Sequence, residues 1–214
     1  LSAHRIFLLS PASTGGKRAG LLLSERASFP LASRLRTPAG APLGEVFSFL
    51  SGLYFRGKLA YATMFARPSD GPGPLVITSS RGLLDPATMI GLDDLREFAT
   101  VPIDPQESRY AAPLIGDATK LRERLADGSE IVLLGSIASD KYVGVLGEIF
   151  GDRLVFPGDF VGRGDMSRGG LMLRCVREGR ELAYTPVAGA TRRGARPARL
   201  LPIRGRRSRP DPAR

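Results

Sequence analysis

EIVLLGSIASDKYVGVLGEIFGDRLVF, residues 130–156, is the stretch whose reading decides the fold. Residues 131–134 are an apolar run, read with Glu130 as a strand and cut off by Gly135-Ser136. Ser139 or Asp140 is a helix N-cap, and Tyr142, Val145, Leu146 and Ile149 then recur with helical spacing up to residue 150. Gly151-Asp152 turns the chain into a second strand, 153–156, whose apolar run is 154–156. A strand, a helix and a second strand in so short a span predict two parallel neighbours joined by a crossover helix. Runs apolar throughout, rather than alternating, predict a sheet covered on both faces.

The same grammar extends outward. Upstream, residues 5–9 and 75–79 read as buried strands, and 183–187 as a last short one. Helical patterns are expected at 17–23, 93–98, 117–125 and from Ser167 or Arg168 to 180. A further helical pattern over 44–66 is split by Gly52 and Gly57, and Asp93 is expected to cap the helix it opens. Residues 28–44 and 101–113, each with three prolines, read as irregular connections. The expectation is an α/β fold of three layers, Rossmann-like, with a mostly parallel sheet of four or five strands flanked by helices. Residues 1–190 form its single domain, and 191–214 a flexible Arg/Pro-rich tail.

Charge sharpens that division. The chain of 214 residues has a net charge of +10, yet residues 192–214 contain nine arginines against one acid, Asp211. The tail therefore carries +8 of the +10, and the body is nearly neutral. Such a segment, with four prolines and little apolar patterning, is expected to be disordered and able to touch phosphate without sequence preference. Coding bias is the competing explanation, because lysine occurs only at 17, 58, 120 and 141 and the other 27 of 31 cations are arginine. No apolar run approaches the roughly 20 residues that span a bilayer, and 6–9 is too short for a signal-peptide core, so a cytoplasmic location is expected. One cysteine, Cys175, and one histidine, His4, argue against a disulfide, a thiolate metal cluster or a multi-histidine metal centre. Cys175, set among Leu171, Leu173 and Val176, reads as a buried small hydrophobe. No cofactor is implied.

Function should lie at the loops that follow the strands, because they gather along the ligand-binding edge of an open parallel sheet. The first, SPASTGGKR (10–18), has the Gly16-Lys17 of a P-loop, but Pro11 stands at the first glycine position and Arg18 at the Mg²⁺-binding hydroxyl. What survives is Lys17 as an anion contact. The second, TSSRG (78–82), offers Ser80, Arg81 and Gly82, and the third, GSIASDK (135–141), offers Ser136. The fourth, PGDFVGRGDMSRGG (157–170), far exceeds the usual connection. There Arg163, Ser167 and Arg168 suit phosphate, and Asp165 or Asp159 suits a general base. Phe160 and Tyr54 are the candidate base-stacking rings.

SGLYFRGKLAYA (51–62), ITSSRGLLDP (77–86) and Leu92-Asp93 carry one resemblance. Together they are similar to a family of uncharacterised bacterial and phage α/β domains that look like uracil-DNA-glycosylase folds and occur near 7-deazaguanine tRNA and DNA modification systems. The resemblance, confined to residues 51–93, implies a base, nucleoside or nucleic-acid ligand at the edge holding Ser80, Arg81 and Gly82. The chain lacks the Gly-Gln-Asp-Pro-Tyr motif and the second-loop histidine of the main uracil glycosylases. The leading expectation is thus an intracellular protein that binds a nucleobase, nucleotide or nucleic acid, with N-glycosidic or base-exchange chemistry at an aspartate. The alternatives are an enzyme acting on a small phosphorylated metabolite and a non-catalytic interaction module.

Overall fold

A computed structural model describes residues 4–198 and 200. In chain order the elements are β1 (Arg5–Leu9), α1 (Lys17–Leu23), α2 (Pro30–Leu35), β2 (Ala41–Pro42), α3 (Leu43–Ser51) and α4 (Leu53–Phe65). They continue with β3 (Pro74–Ile77), β4 (Leu83–Leu84), β5 (Met89–Ile90), α5 (Leu92–Thr100) and α6 (Ser108–Arg124). The rest are β6 (Glu130–Leu134), α7 (Asp140–Phe150), β7 (Leu154–Pro157), α8 (Asp165–Glu178) and β8 (Tyr184–Pro186). Six strands make one sheet in the order β4-β3-β1-β6-β7-β8, while β2 and β5 pair separately. The inner four, β3, β1, β6 and β7, are parallel; β4 and β8 close the two edges antiparallel.

The sheet is mostly parallel because its strands are apolar on both faces. Phe7, Leu9, Val132 and Leu134 join one core with residues of α1 to α4 and α8. The alternate residues Ile6, Leu8, Ile131 and Leu133 join a second core with α6 and α7. The expected three layers follow. Cys175 lies fully inside the first core. No helix among the described residues is long and apolar enough to cross a membrane.

Several local expectations are corrected. The main sheet has six strands rather than four or five, because its edge strand β4 is two residues long and shows no periodicity of its own. Residues 28–44 contain α2, entered through Pro30 at its first turn, where proline's missing donor costs nothing. Helix α6 begins nine residues earlier than residue 117 and runs through Pro113. Burial of Tyr110, Leu114, Ala118 and Leu121 against the sheet outweighs an interior-proline cost of about 3 kcal/mol. Helix α5 is closed by Asp94, whose carboxylate accepts the Gly91 N–H at 2.7 Å, rather than by Asp93. Helix α8 starts at Asp165 rather than at Ser167 or Arg168.

Gly52, at φ +58°, does break α3 from α4, but Gly57 does not break α4. It is where α4 meets α8 backbone to backbone. A Cβ on Gly57 would stand 2.7 Å from the Gly169 carbonyl oxygen, and one on Gly169 would stand 2.7 Å from that of Leu53.

The chain after β8 has no helix or strand among its described residues, but it touches the body. Arg192 pairs with Asp140 at 2.5 Å, and a Cβ on Gly162 would collide with the Ala195 carbonyl. Arg199 and residues 201–214, which hold most of the basic tail, lie outside the described residues.

Candidate functional site

Counted among themselves, the four parallel strands run second, first, third, fourth, so the chain leaves β1 to one side for β3 and returns on the other for β6. The loops after β1 and β6 diverge at such a reversal and leave a crevice beyond the strand ends. A cavity of about 670 Å³ occupies that crevice. Residues 10–15 after β1, Ser79 after β3, Ser136 after β6 and Asp165 after β7 line it, so all four parallel strands contribute. Helices α3, α4, α5 and α7 add Phe47, Ser51, Tyr54, Phe98, Lys141 and Tyr142.

Of the residues the sequence singled out, two line this cavity besides Tyr54: Ser136 and Asp165. The Ser136 hydroxyl also accepts the Ala138 N–H at 3.3 Å. Asp165, two-thirds exposed at the start of α8, is the one carboxylate among the lining residues, and it lies 3.7 Å from the Arg168 guanidinium.

The others stand elsewhere. Lys17 is exposed at the first position of α1. The second loop is closed on itself. The Ser80 hydroxyl donates to Glu97 at 2.5 Å, and Arg81 pairs with Glu97 at 2.5 Å and Asp94 at 2.6 Å above the Phe98 ring. Those hydrogen bonds hold the Glu97 carboxyl below its ordinary range, with Arg81 the first cause. Gly82 is a turn residue at φ +58°, where a Cβ would strike the Asp117 carboxylate.

In the fourth loop, Arg163 donates to the Asp159 carbonyl at 2.9 Å and the Ser167 hydroxyl at 3.3 Å. Arg168 donates to the Phe160 carbonyl at 3.2 Å and lies over that ring. Phe160 is itself buried, so of the two candidate stacking rings only Tyr54 reaches the cavity.

Two features escaped the sequence reading. Lys58 is completely buried. Its ammonium sits over the rings of Tyr54 and Phe55 and donates to the Ser10 carbonyl, and its Nζ is 2.9 Å from the Ser10 hydroxyl. No ion pair compensates it among the described residues, and burial pulls its pKa down to about 7, against the pull of Asp165. The signal was present: Lys58 falls four residues from both Tyr54 and Ala62, on the inward face of α4. The second feature is the Tyr54 hydroxyl, which is buried with no hydrogen-bond partner although Tyr54 lines the cavity. Burial raises its pKa, opposed first by the charge of Arg168 and then by the nearness of the Arg168 and Ser10 side chains as hydrogen-bonding groups. Burial likewise raises the Tyr142 phenol beside it.

The close approach of Gly57 to Gly169 brings these groups together, because it sets Tyr54 and Lys58 of α4 beside Asp165 and Arg168 of α8. No group of three or more His, Cys, Asp or Glu among the described residues could hold a metal ion.

Fold and cavity define an α/β protein with a polar, aromatic-walled site at the carboxyl edge of its sheet. Compared with known proteins, the chain matches no family model, no curated protein and no solved structure.

Proposed function

We propose that the cavity binds a ligand containing a nucleobase, a nucleoside or nucleotide, free or within a nucleic-acid strand. The observation that carries this reading is the combination, in one cavity of about 670 Å³, of four aromatic rings, several hydroxyl side chains besides the tyrosines, one carboxylate and one lysine. Ligand sites fall in this size class, roughly 300–1,000 Å³, and fix their ligands through a few placed polar groups; this one is more polar than most. The rings of Tyr54, Tyr142, Phe47 and Phe98 supply apolar and stacking surface. Asp165 accepts from ring N–H or ribose hydroxyls, and Lys141, exposed at the start of α7, meets a phosphate. As the one carboxylate of the lining, Asp165 is the base in this reading if the chemistry is N-glycosidic or base exchange. Arg81, Arg163 and Arg168 are engaged by protein groups, which favours a ligand recognised through its base over one recognised mainly through phosphate.

Calorimetric titration of the intact chain with nucleosides, their monophosphates and ribose 5-phosphate tests the reading. Saturable binding of nucleosides, weakened about tenfold by Asp165→Asn, is the expected result. Ribose 5-phosphate bound as tightly as any nucleotide, or no nucleoside binding at all, would sink it. For a nucleic-acid ligand, removal of residues 201–214 lowers the salt slope of binding by roughly 0.7–0.9 for each phosphate that the tail neutralises.

A further inference from the structure

Lys58 is difficult to explain as scaffold. A buried ammonium without a carboxylate costs several kcal/mol, and a neutral donor would satisfy the Ser10 carbonyl at the end of β1 just as well. Lys58 is fully buried, lacks an ion pair among the described residues, and holds its Nζ 2.9 Å from the hydroxyl of Ser10, a buried residue at the cavity wall. The charged and titratable groups around it are Asp165 and Arg168 on α8 and Tyr54 on its own helix, and the first two act in opposite directions. Gly135, after β6, keeps room beside Ser10: a Cβ there would lie 3.0 Å from the Ser10 Cβ and 3.3 Å from its Oγ. Tyr54 lines the same cavity, and its buried hydroxyl lies near the Ser10 and Arg168 side chains without a hydrogen bond of good geometry to either.

We propose that Ser10 is a nucleophile, that Lys58 is its general base, and that the cavity turns over a carboxylic ester. A desolvated lysine that loses its proton near neutrality serves as such a base. The neutral Lys58 amine takes the Ser10 hydroxyl proton as Oγ bonds to the ester carbonyl carbon. The carbonyl oxygen becomes an oxyanion that accepts the Tyr54 O–H, which burial keeps protonated. Collapse breaks the bond from that carbon to the leaving alcohol oxygen, and the Lys58 ammonium protonates the alcohol. Water then attacks the Ser10 acyl ester and gives its proton to Lys58. Release of the carboxylic acid returns that proton to the Ser10 oxygen.

The test is covalent labelling of the full chain with a small alkyl fluorophosphonate between pH 5.5 and 9, read by peptide mass spectrometry. Stopped-flow hydrolysis of p-nitrophenyl acetate is run alongside. The expected result is an adduct on Ser10 whose rate rises with a midpoint near pH 7. The adduct is absent in Ser10→Ala and slowed roughly 100-fold in Lys58→Met at pH 7.5. Tyr54→Phe slows ester turnover about 100-fold without moving the midpoint. Absence of a Ser10 adduct on folded protein, or labelling of Lys58→Met at the wild-type rate, overturns the proposal. Should Lys58→Met fail to fold, the ¹⁵N signal of Lys58 Nζ in the wild-type chain decides: an ammonium persisting to pH 9 also overturns it. Nucleoside binding is measured independently, so the base-binding reading and this one can fail separately.

Discussion

The loop around Arg81 and the cavity wall around Ser10 follow neighbouring parallel strands, yet they treat polar groups in opposite ways. In residues 78–82 the polar groups answer one another. Thr78 donates to the Gly82 carbonyl and accepts the Arg81 N–H, Ser79 donates to the Phe98 carbonyl at 2.8 Å, and Arg81 is held by two acids. At the cavity, Tyr54 has a buried hydroxyl with no partner, and Lys58 has a buried charge with no acid paired to it among the described residues. The first region is rich in charge and complete in itself. The second is poor in charge and incomplete, and incompleteness is what a ligand can relieve. Density of ionic residues is therefore a weaker guide to a site here than unsatisfied burial.

The largest expected effect breaks the scaffold under the cavity. Gly169→Val places a side chain 2.7 Å from the Leu53 carbonyl oxygen and 2.8 Å from the Tyr54 Cα, with backbone rather than a movable side chain in the way. A loss of about 3 kcal/mol in urea unfolding is expected, whereas Gly147→Ala, inside α7 with open space around it, gains up to about 1 kcal/mol.

Next comes the pH dependence of stability. With the Lys58 pKa near 7 in the folded chain and 10.5 ordinarily, the unfolded chain holds a proton that the folded chain lacks between those values. Stability therefore rises with pH across that window, by up to about 1.4 kcal/mol per unit, and the charge penalty is fully present below pH 7. Denaturant titrations at pH 7.5 and 9 should show this rise in the wild-type chain and a flat profile in Lys58→Met. A wild-type profile that is already flat would remove the contrast between the two regions. Above about pH 9.5 the buried tyrosines oppose the trend, because burial holds their protons while the unfolded chain sheds its own.

Smaller changes sharpen the comparison from both sides. Tyr54→Phe removes an unpartnered buried hydroxyl, so thermal unfolding should show a gain of about 1 kcal/mol even as cavity function falls. Arg81→Ala removes a pair of salt bridges from a guanidinium that is 41% exposed, so a loss of no more than about 1 kcal/mol is expected, smaller still in high salt. Its nucleoside binding should match wild type. A binding defect larger than the stability defect would return the second loop to the site.

Much of the fold was legible. Four buried runs became the four parallel strands, and residues 17–23 and 130–134 became a helix and a strand with the bounds expected. The failures share a cause. Strands of two residues such as β2, β4 and β5 are too short for any period to register, and they exist because a neighbouring segment completes their hydrogen bonds. Pro113 argued for a loop on local grounds and lost to burial on the sheet. At the site, Ser136 and Asp165 could be marked from the sequence because both follow a strand and precede or open a helix. For Lys58 the sequence shows only a charge on the inward face of α4; that it meets Ser10 is not legible, since the residue opposite it lies 48 positions away.

Local pattern was enough to mark the four parallel strands, most of the longer helices and the end of the sheet that carries the loops, because periodicity and turn chemistry act between residues close in the chain. Which polar groups are satisfied was decided only by the tertiary structure. Arg81 meets Glu97 across 16 residues, and Lys58 meets Ser10 across 48. The first depends on how α5 lies beside the loop after β3 and the second on how α4 packs over β1, and such distances no local pattern encodes.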